Sequence, residues 1–190
     1  WKKKEIFEII NQEERILRPL NFPITAPGRG FGVFKTKEGL KLGVVCVNGR
    51  VFMEALDCPF KTTLADVESL SKQTNIIIVD IHAEATSEKV ALSWYLDGKV
   101  SAVLGTHTHI QTADERILPQ GTAYLTDVGM TGPFDSVIGR RIEDVLERFL
   151  SSIPTRFQVA KENIQLHGAV LDIDEQTGKA HSIVRIQKKL

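Results

Sequence analysis

Three of the five histidines stand where strands are expected to end, and that placement carries the chemistry of this chain. His107 and His109 lie in Gly105-Thr106-His107-Thr108-His109, directly after the apolar run Val100-Ser101-Ala102-Val103-Leu104. Residues two apart on an extended backbone point to the same side, so the pair is expected to face one way. His82 closes a second run, Asn75-Ile76-Ile77-Ile78-Val79-Asp80-Ile81, and is followed by Ala83-Glu84. Open α/β sheets hold their ligands at the carboxyl ends of strands, and neutral imidazole binds zinc, manganese and iron. The pattern predicts a metal site built from His82, His107 and His109. A lone histidine at a strand end is more often a hydrogen-bonded core or surface residue. His167 and His181 lack the strand-end context and keep that plain role.

Phosphoester hydrolysis at a metal pair needs neutral ligands, open positions and an anion bridging the ions. Asp80 and Asp127 lie on expected strands, while Glu84 and Asp114 flank the histidines. Each is open to two readings: a bridge between ions, or a group that orients an imidazole from behind.

The elements that position these groups follow from periodicity. Residues 3–10 place Ile6, Phe7, Ile9 and Ile10 at helical spacing, and Arg18-Pro19 through Phe22-Pro23 breaks the pattern. Phe31–Phe34 and Leu40–Val47 read as strands, residues 48–61 as a loop, and Leu64–Lys72 as a helix. A further helix starts near Thr86-Ser87-Glu88, turns Ala91, Trp94 and Tyr95 inward, and stops at Asp97-Gly98. Thr122–Val128 reads as a strand ending in the glycine-rich loop Gly129–Pro133. Arg140–Leu150 reads as a helix with Ile142, Val145, Leu146 and Phe149 inward. Residues 156–160, 169–174 and 180–186 alternate like antiparallel strands. Strands alternating with helices predict an α/β fold with a parallel or mixed sheet.

Composition narrows the class. The chain has 190 residues, 42% of them hydrophobic and 25% charged, with a formal net charge of +0. That is enough for one domain over residues 1–190 and gives no global field favouring nucleic acid or an anionic membrane. No apolar stretch is long enough to span a bilayer. Cys46 sits in an apolar run and Cys58 in a loop, which is no disulfide framework, so a cytoplasmic location is expected. The isolated Ala26–Gly30 stretch reads as a turn.

Longer motifs surround the histidines. Gly105–His109 looks like the last metal motif of the calcineurin-like metallophosphoesterases, and His82 like the histidine motif before it. More narrowly, His82-Ala83-Glu84-Ala85-Thr86-Ser87-Glu88-Lys89, Gly105 through Gln111-Thr112-Ala113-Asp114, Asp127-Val128-Gly129-Met130-Thr131-Gly132-Pro133 and Arg18-Pro19-Leu20-Asn21-Phe22-Pro23 resemble the bacterial YmdB-like family. The resemblance covers almost the whole chain.

It implies a metallophosphoesterase β-sandwich flanked by helices, α/β/β/α, of which this chain is mainly the C-terminal part. It also implies a phosphodiesterase that opens 2′,3′-cyclic nucleotides with a metal-activated hydroxide. His82, His107 and His109 would then be ligands to two divalent or iron-type ions, iron or manganese first and zinc next. The family's Gly-Asp, Asn-Gly-Glu-Asn and Gly-Asn-His motifs are absent, and Lys2, after Trp1, stands where the family usually has aspartate. The bridging carboxylate and the histidine that protonates the leaving oxygen are therefore expected upstream of Trp1. On that expectation the domain is N-terminally incomplete and this 190-residue piece alone is inactive. An exposed sheet edge would then favour self-association into a homo-oligomer. The rival from another class is a catalytically degenerate regulator that binds metal and nucleotides or RNA without turnover.

Overall fold

The computed structural model describes residues 3–190, so the readings placed on Trp1 and Lys2 lie outside the described residues. The β-branched runs form the middle of a six-stranded sheet. Its strands are β1 (Phe31–Lys35), β2 (Lys41–Asn48), β3 (Ile77–His82), β4 (Ala102–Thr106), β5 (Arg116–Ile117) and β6 (Ala123–Leu125). They lie in the order β1-β2-β3-β4-β6-β5. The inner four run parallel, and β1 and β5 close the edges antiparallel. A second sheet, β7 (Thr131–Pro133), β8 (Ile164–Ile173) and β9 (Ala180–Lys189), is antiparallel throughout.

Alternation along the strands makes two cores. Val45, Val47, Ile77, Val79, Ile81, Val103 and Tyr124 point to one face of the large sheet. There they pack against Val67 and Leu70 of α2 (Pro59–Leu70), Leu92 of α3 (Thr86–Tyr95) and Leu96 just past its end. From the opposite face Ala102, Ala123 and Leu125 meet Ala180 and Ile183 of β9. The layers are thus helices, mixed sheet and antiparallel sheet, the α/β sandwich expected. An Arg185–Glu115 ion pair at 2.7 Å and an Asn75 amide donating to the Gln176 carbonyl at 2.6 Å tie the two sheets together.

Several expectations need correction. The first helix, α1, is one turn, Ile6–Ile9, with Phe7 and Ile9 exposed and Ile10 buried just past its end. The second begins at Pro59 instead of Leu64, because a proline suits the first helical turn. Only Ala123–Leu125 of the Thr122–Val128 run is strand, and part of the glycine-rich loop pairs as β7. Residues 156–160 form no strand, with a single bridge from Val159 to Arg140.

The inward faces assigned to two helices are also overturned. In α3, Glu88, Lys89, Leu92 and Ser93 are buried while Ala91, Trp94 and Tyr95 face solvent. In α4 (Ile142–Ser151), Val145 is buried, but Ile142, Leu146 and Phe149 are exposed. Polar residues displace apolar ones inside α3 because each finds a partner there.

Candidate metal centre

His82 ends β3, where Ile78, Asp80 and His82 share the face that looks toward the second sheet. Its register partner on β4 is Thr106. The Thr106 hydroxyl donates to Asp80 Oδ1 at 3.1 Å and meets His82 Nδ1 at 3.1 Å. A hydroxyl that donates to a carboxylate accepts from the ring, so Nδ1 of His82 carries the proton and Nε2 is left bare. Burial first, and then the neighbouring His107, push the His82 pKa below the ordinary imidazole value, which keeps the ring neutral. Asp80 is raised, chiefly by burial, with the Thr106 hydroxyl working against it.

The chain leaves β4 at Thr106, so the histidine pair does not sit on extended backbone as expected. His107 and His109 both take positive φ, 109° and 67°. The cause lies 19 residues from Thr108. Asp127, fully buried, accepts from the Thr108 N–H at 2.9 Å and from the Thr108 hydroxyl at 2.7 Å. It also accepts the Gly129 N–H at 2.9 Å and the Lys89 ammonium at 3.1 Å. Lys89 reaches it from α3 past Gly105, where a Cβ would run into the Thr126 carbonyl and crowd the lysine stem. Asp127 therefore folds the 107–109 segment into a turn that splits the two histidines.

One goes to His82. Its Nδ1 stands 3.0 Å from His82 Nε2, and its Nε2 lies 2.9 Å from the Glu84 carboxylate. The two rings meet edge to face, with centroids 4.7 Å apart. His109 turns elsewhere. Its Nδ1 bonds the Ile138 carbonyl at 3.0 Å, and the ring lines a cavity of about 720 Å³ with Val137, Arg140, Val145, Phe149 and Phe157.

Asp114 takes the Thr112 hydroxyl at 2.6 Å and a short bond from the Thr126 hydroxyl. Those bonds hold its pKa down, although burial, the largest single influence, raises it. Asp80 and Asp127 are likewise occupied by hydroxyls, amides and an ammonium. Cys46 lies opposite Asp80 on β2, where burial and then the Asp80 charge push its thiol to about 12. His181 is an exposed partner of Asp174, and His167 packs on Phe134, in keeping with plain roles.

The paired nitrogens fit an ion. Metal–nitrogen bonds of roughly 2.0–2.1 Å place two ligands at right angles about 3 Å apart, the separation seen here. Each ring also presents its outer nitrogen to an oxygen, Thr106 for His82 and Glu84 for His107, the outer-shell support that metal-bound imidazoles usually have. Among the described residues no three His, Cys, Asp or Glu side chains gather tightly enough to enclose one ion. Sequence spacing pointed to all three histidines. It also named Asp127 among the carboxylates able to orient an imidazole, but missed Thr106 and Lys89, although Lys89 falls within a family-like motif.

The profile of YmdB-like proteins matches residues 1–186. This chain belongs to the YmdB-like family. A Bacillus subtilis relative, a 2′,3′-cyclic-nucleotide 2′-phosphodiesterase, is 51% identical over 186 residues, which are 98% of this chain and 70% of that protein. Among solved structures, a hypothetical protein from Thermus thermophilus superposes with a TM-score of 0.92 at 42% identity, over 100% of this chain and 73% of that one. A phosphatase from Mycoplasma pneumoniae gives 0.87 at 34% identity, over 100% and 69%. As a YmdB-like protein with these relatives, the chain is a hydrolase. No helix among its described residues is long and apolar enough to cross a membrane.

Proposed function

We propose that this protein is a metal-dependent phosphodiesterase of the cytoplasm whose preferred substrates are nucleoside 2′,3′-cyclic phosphates, released as 3′-nucleotides. The observation that carries the reading is the His82–His107 pair. The two facing ring nitrogens lie 3.0 Å apart, and the outer nitrogen of each ring meets an oxygen. His82 and His107 would hold one ion, and His109, set apart by the Asp127-driven turn, would serve a second. Iron or manganese suits such nitrogen and oxygen donors, with zinc as the alternative. Bound there, such ions supply Lewis acidity toward the phosphoryl group and water. The B. subtilis relative supports the cyclic-nucleotide substrate.

The chain's own residues supply orientation. Thr106 and Asp80 fix the His82 tautomer, Glu84 holds the outer His107 nitrogen, and the Lys89–Asp127 pair fixes the turn between the two. The test is hydrolysis of adenosine 2′,3′-cyclic phosphate, followed by phosphorus NMR, using the protein encoded by the complete gene with added manganese. Formation of the 3′-phosphate, abolished in His107→Ala, is expected. No turnover with manganese, iron or zinc, or full turnover in His107→Ala, would refute the reading.

A further inference from the structure

Beside the strand end that carries His82 lies a loop held in place by backbone hydrogen bonds. Asn48, at the end of β2, is the register partner of His82. The next residue donates from the Gly49 N–H to the His82 carbonyl at 2.9 Å. Three residues past Arg50, the Met53 sulfur accepts the Glu84 N–H at 3.3 Å. The Gly49–Met53 segment is thus tied at both ends to the stretch that carries His82 and Glu84.

Its middle is held from below. Glu88, a buried carboxylate of α3, accepts the Arg50 N–H with both oxygens at 3.1 Å and the Val51 N–H at 3.3 Å. Gly49 makes room for it, since a Cβ there would collide with that same carboxylate. A buried charge satisfied by consecutive backbone amides fixes the loop.

Phe52, at the tip, is then doubly unfavourable. Its φ is 61°, in the left-handed region that suits glycine or asparagine and is rare for a bulky residue. Its side chain is 90% exposed, so the ring contributes almost nothing to the core. Backbone strain of this kind persists where the surroundings over-determine it and concentrates at ligand-contacting positions. An aromatic ring presented to water, on a loop whose backbone is anchored to that of His82 and Glu84, is suited to stack against another flat ring.

We propose that Phe52 is the platform on which the substrate's nucleobase stacks, a specificity-determining residue for nucleoside cyclic phosphates. This rests on the phosphodiesterase reading above. Stacking accepts any base, because every base has a π-face, so the expected selectivity is for nucleosides over base-free esters and not among bases. Phe149 and Phe157 line the cavity on the His109 side, away from the Phe52 loop's anchors at His82 and Glu84, and give a built-in comparison.

The experiment compares adenosine 2′,3′-cyclic phosphate with ribose 2′,3′-cyclic phosphate, which keeps the reacting ring and lacks the base. Phe52→Leu should raise KM for the adenosine ester about 10-fold, the scale of one base–aromatic stack, with kcat unchanged and the ribose ester unaffected. Phe52→Trp should restore the native KM. Phe52→Gly separates function from folding: it removes the ring and relieves the φ strain, so KM should rise while Tm does not fall.

Parallel losses on both esters, native KM values in Phe52→Leu, or the same selective loss in Phe149→Ala would overturn the platform. Calorimetric binding of adenosine 3′-phosphate to native and Phe52→Leu protein, without turnover, decides the matter independently of catalysis. Weaker binding in the variant supports the platform even if native protein hydrolyses neither ester, and equal binding ends it.

Discussion

The two helices α3 and α4 carry opposite lessons. On α3 the buried face holds Glu88, Lys89 and Ser93, and the aromatic residues Trp94 and Tyr95 face solvent. On α4 an apolar stripe at helical spacing lies largely exposed, with Phe149 77% accessible and Val145 alone well covered. The difference is partnership. Each buried polar group of α3 meets a specific acceptor or donor: Asp127 for Lys89, the Arg50 and Val51 amides for Glu88, the Val90 carbonyl for Ser93. The partners of Lys89 and Glu88 are also what shape the histidine turn and the Phe52 loop. The helix that looks less amphipathic is therefore the one that builds the site.

The comparison breaks most sharply at Asp127. Replacing it with alanine strands the Lys89 ammonium in the core and frees the Thr108 and Gly129 amides. Stability should fall by about 3–5 kcal/mol, the usual result of removing one partner of a buried pair, as read from denaturant unfolding. A loss below about 1 kcal/mol, typical of exposed ion pairs, would mean that the pair does not brace the turn. On the other helix, Leu146→Ser and Phe149→Ser should each change stability by no more than about 0.5 kcal/mol, as surface substitutions do. A large loss in either variant would show that this face is covered in solution and would make the contrast between the helices an illusion.

The same contrast explains what could be read from sequence. β3 and β4 were legible because a β-branched run flanked by polar residues has few alternatives, and they deliver His82 and Thr106 where expected. The 107–109 turn was not, because the carboxylate that bends it comes from Asp127, beyond β6, and spacing alone implied a straight strand. The inward faces of α3 and α4 were misread for one reason: periodicity ranks residues by hydrophobicity and is blind to a distant partner that makes a buried lysine or glutamate tolerable. Likewise the alternation in residues 156–160 signalled a strand, but that segment adjoins the exposed α4 and meets no sheet edge. His109 was legible as a ligand candidate, while its partner, the Ile138 carbonyl, lies on a left-handed residue (φ 46°) that no pattern announces.

Metal content is the most direct measurement. Native protein and the His82→Ala, His107→Ala and His167→Ala variants, loaded with manganese or zinc and dialysed to constant composition, would be compared by elemental analysis alongside circular dichroism. The account predicts bound metal in native protein and in His167→Ala, and loss of at least one ion in both His82→Ala and His107→Ala with the fold retained. Equal metal in all four proteins would contradict it.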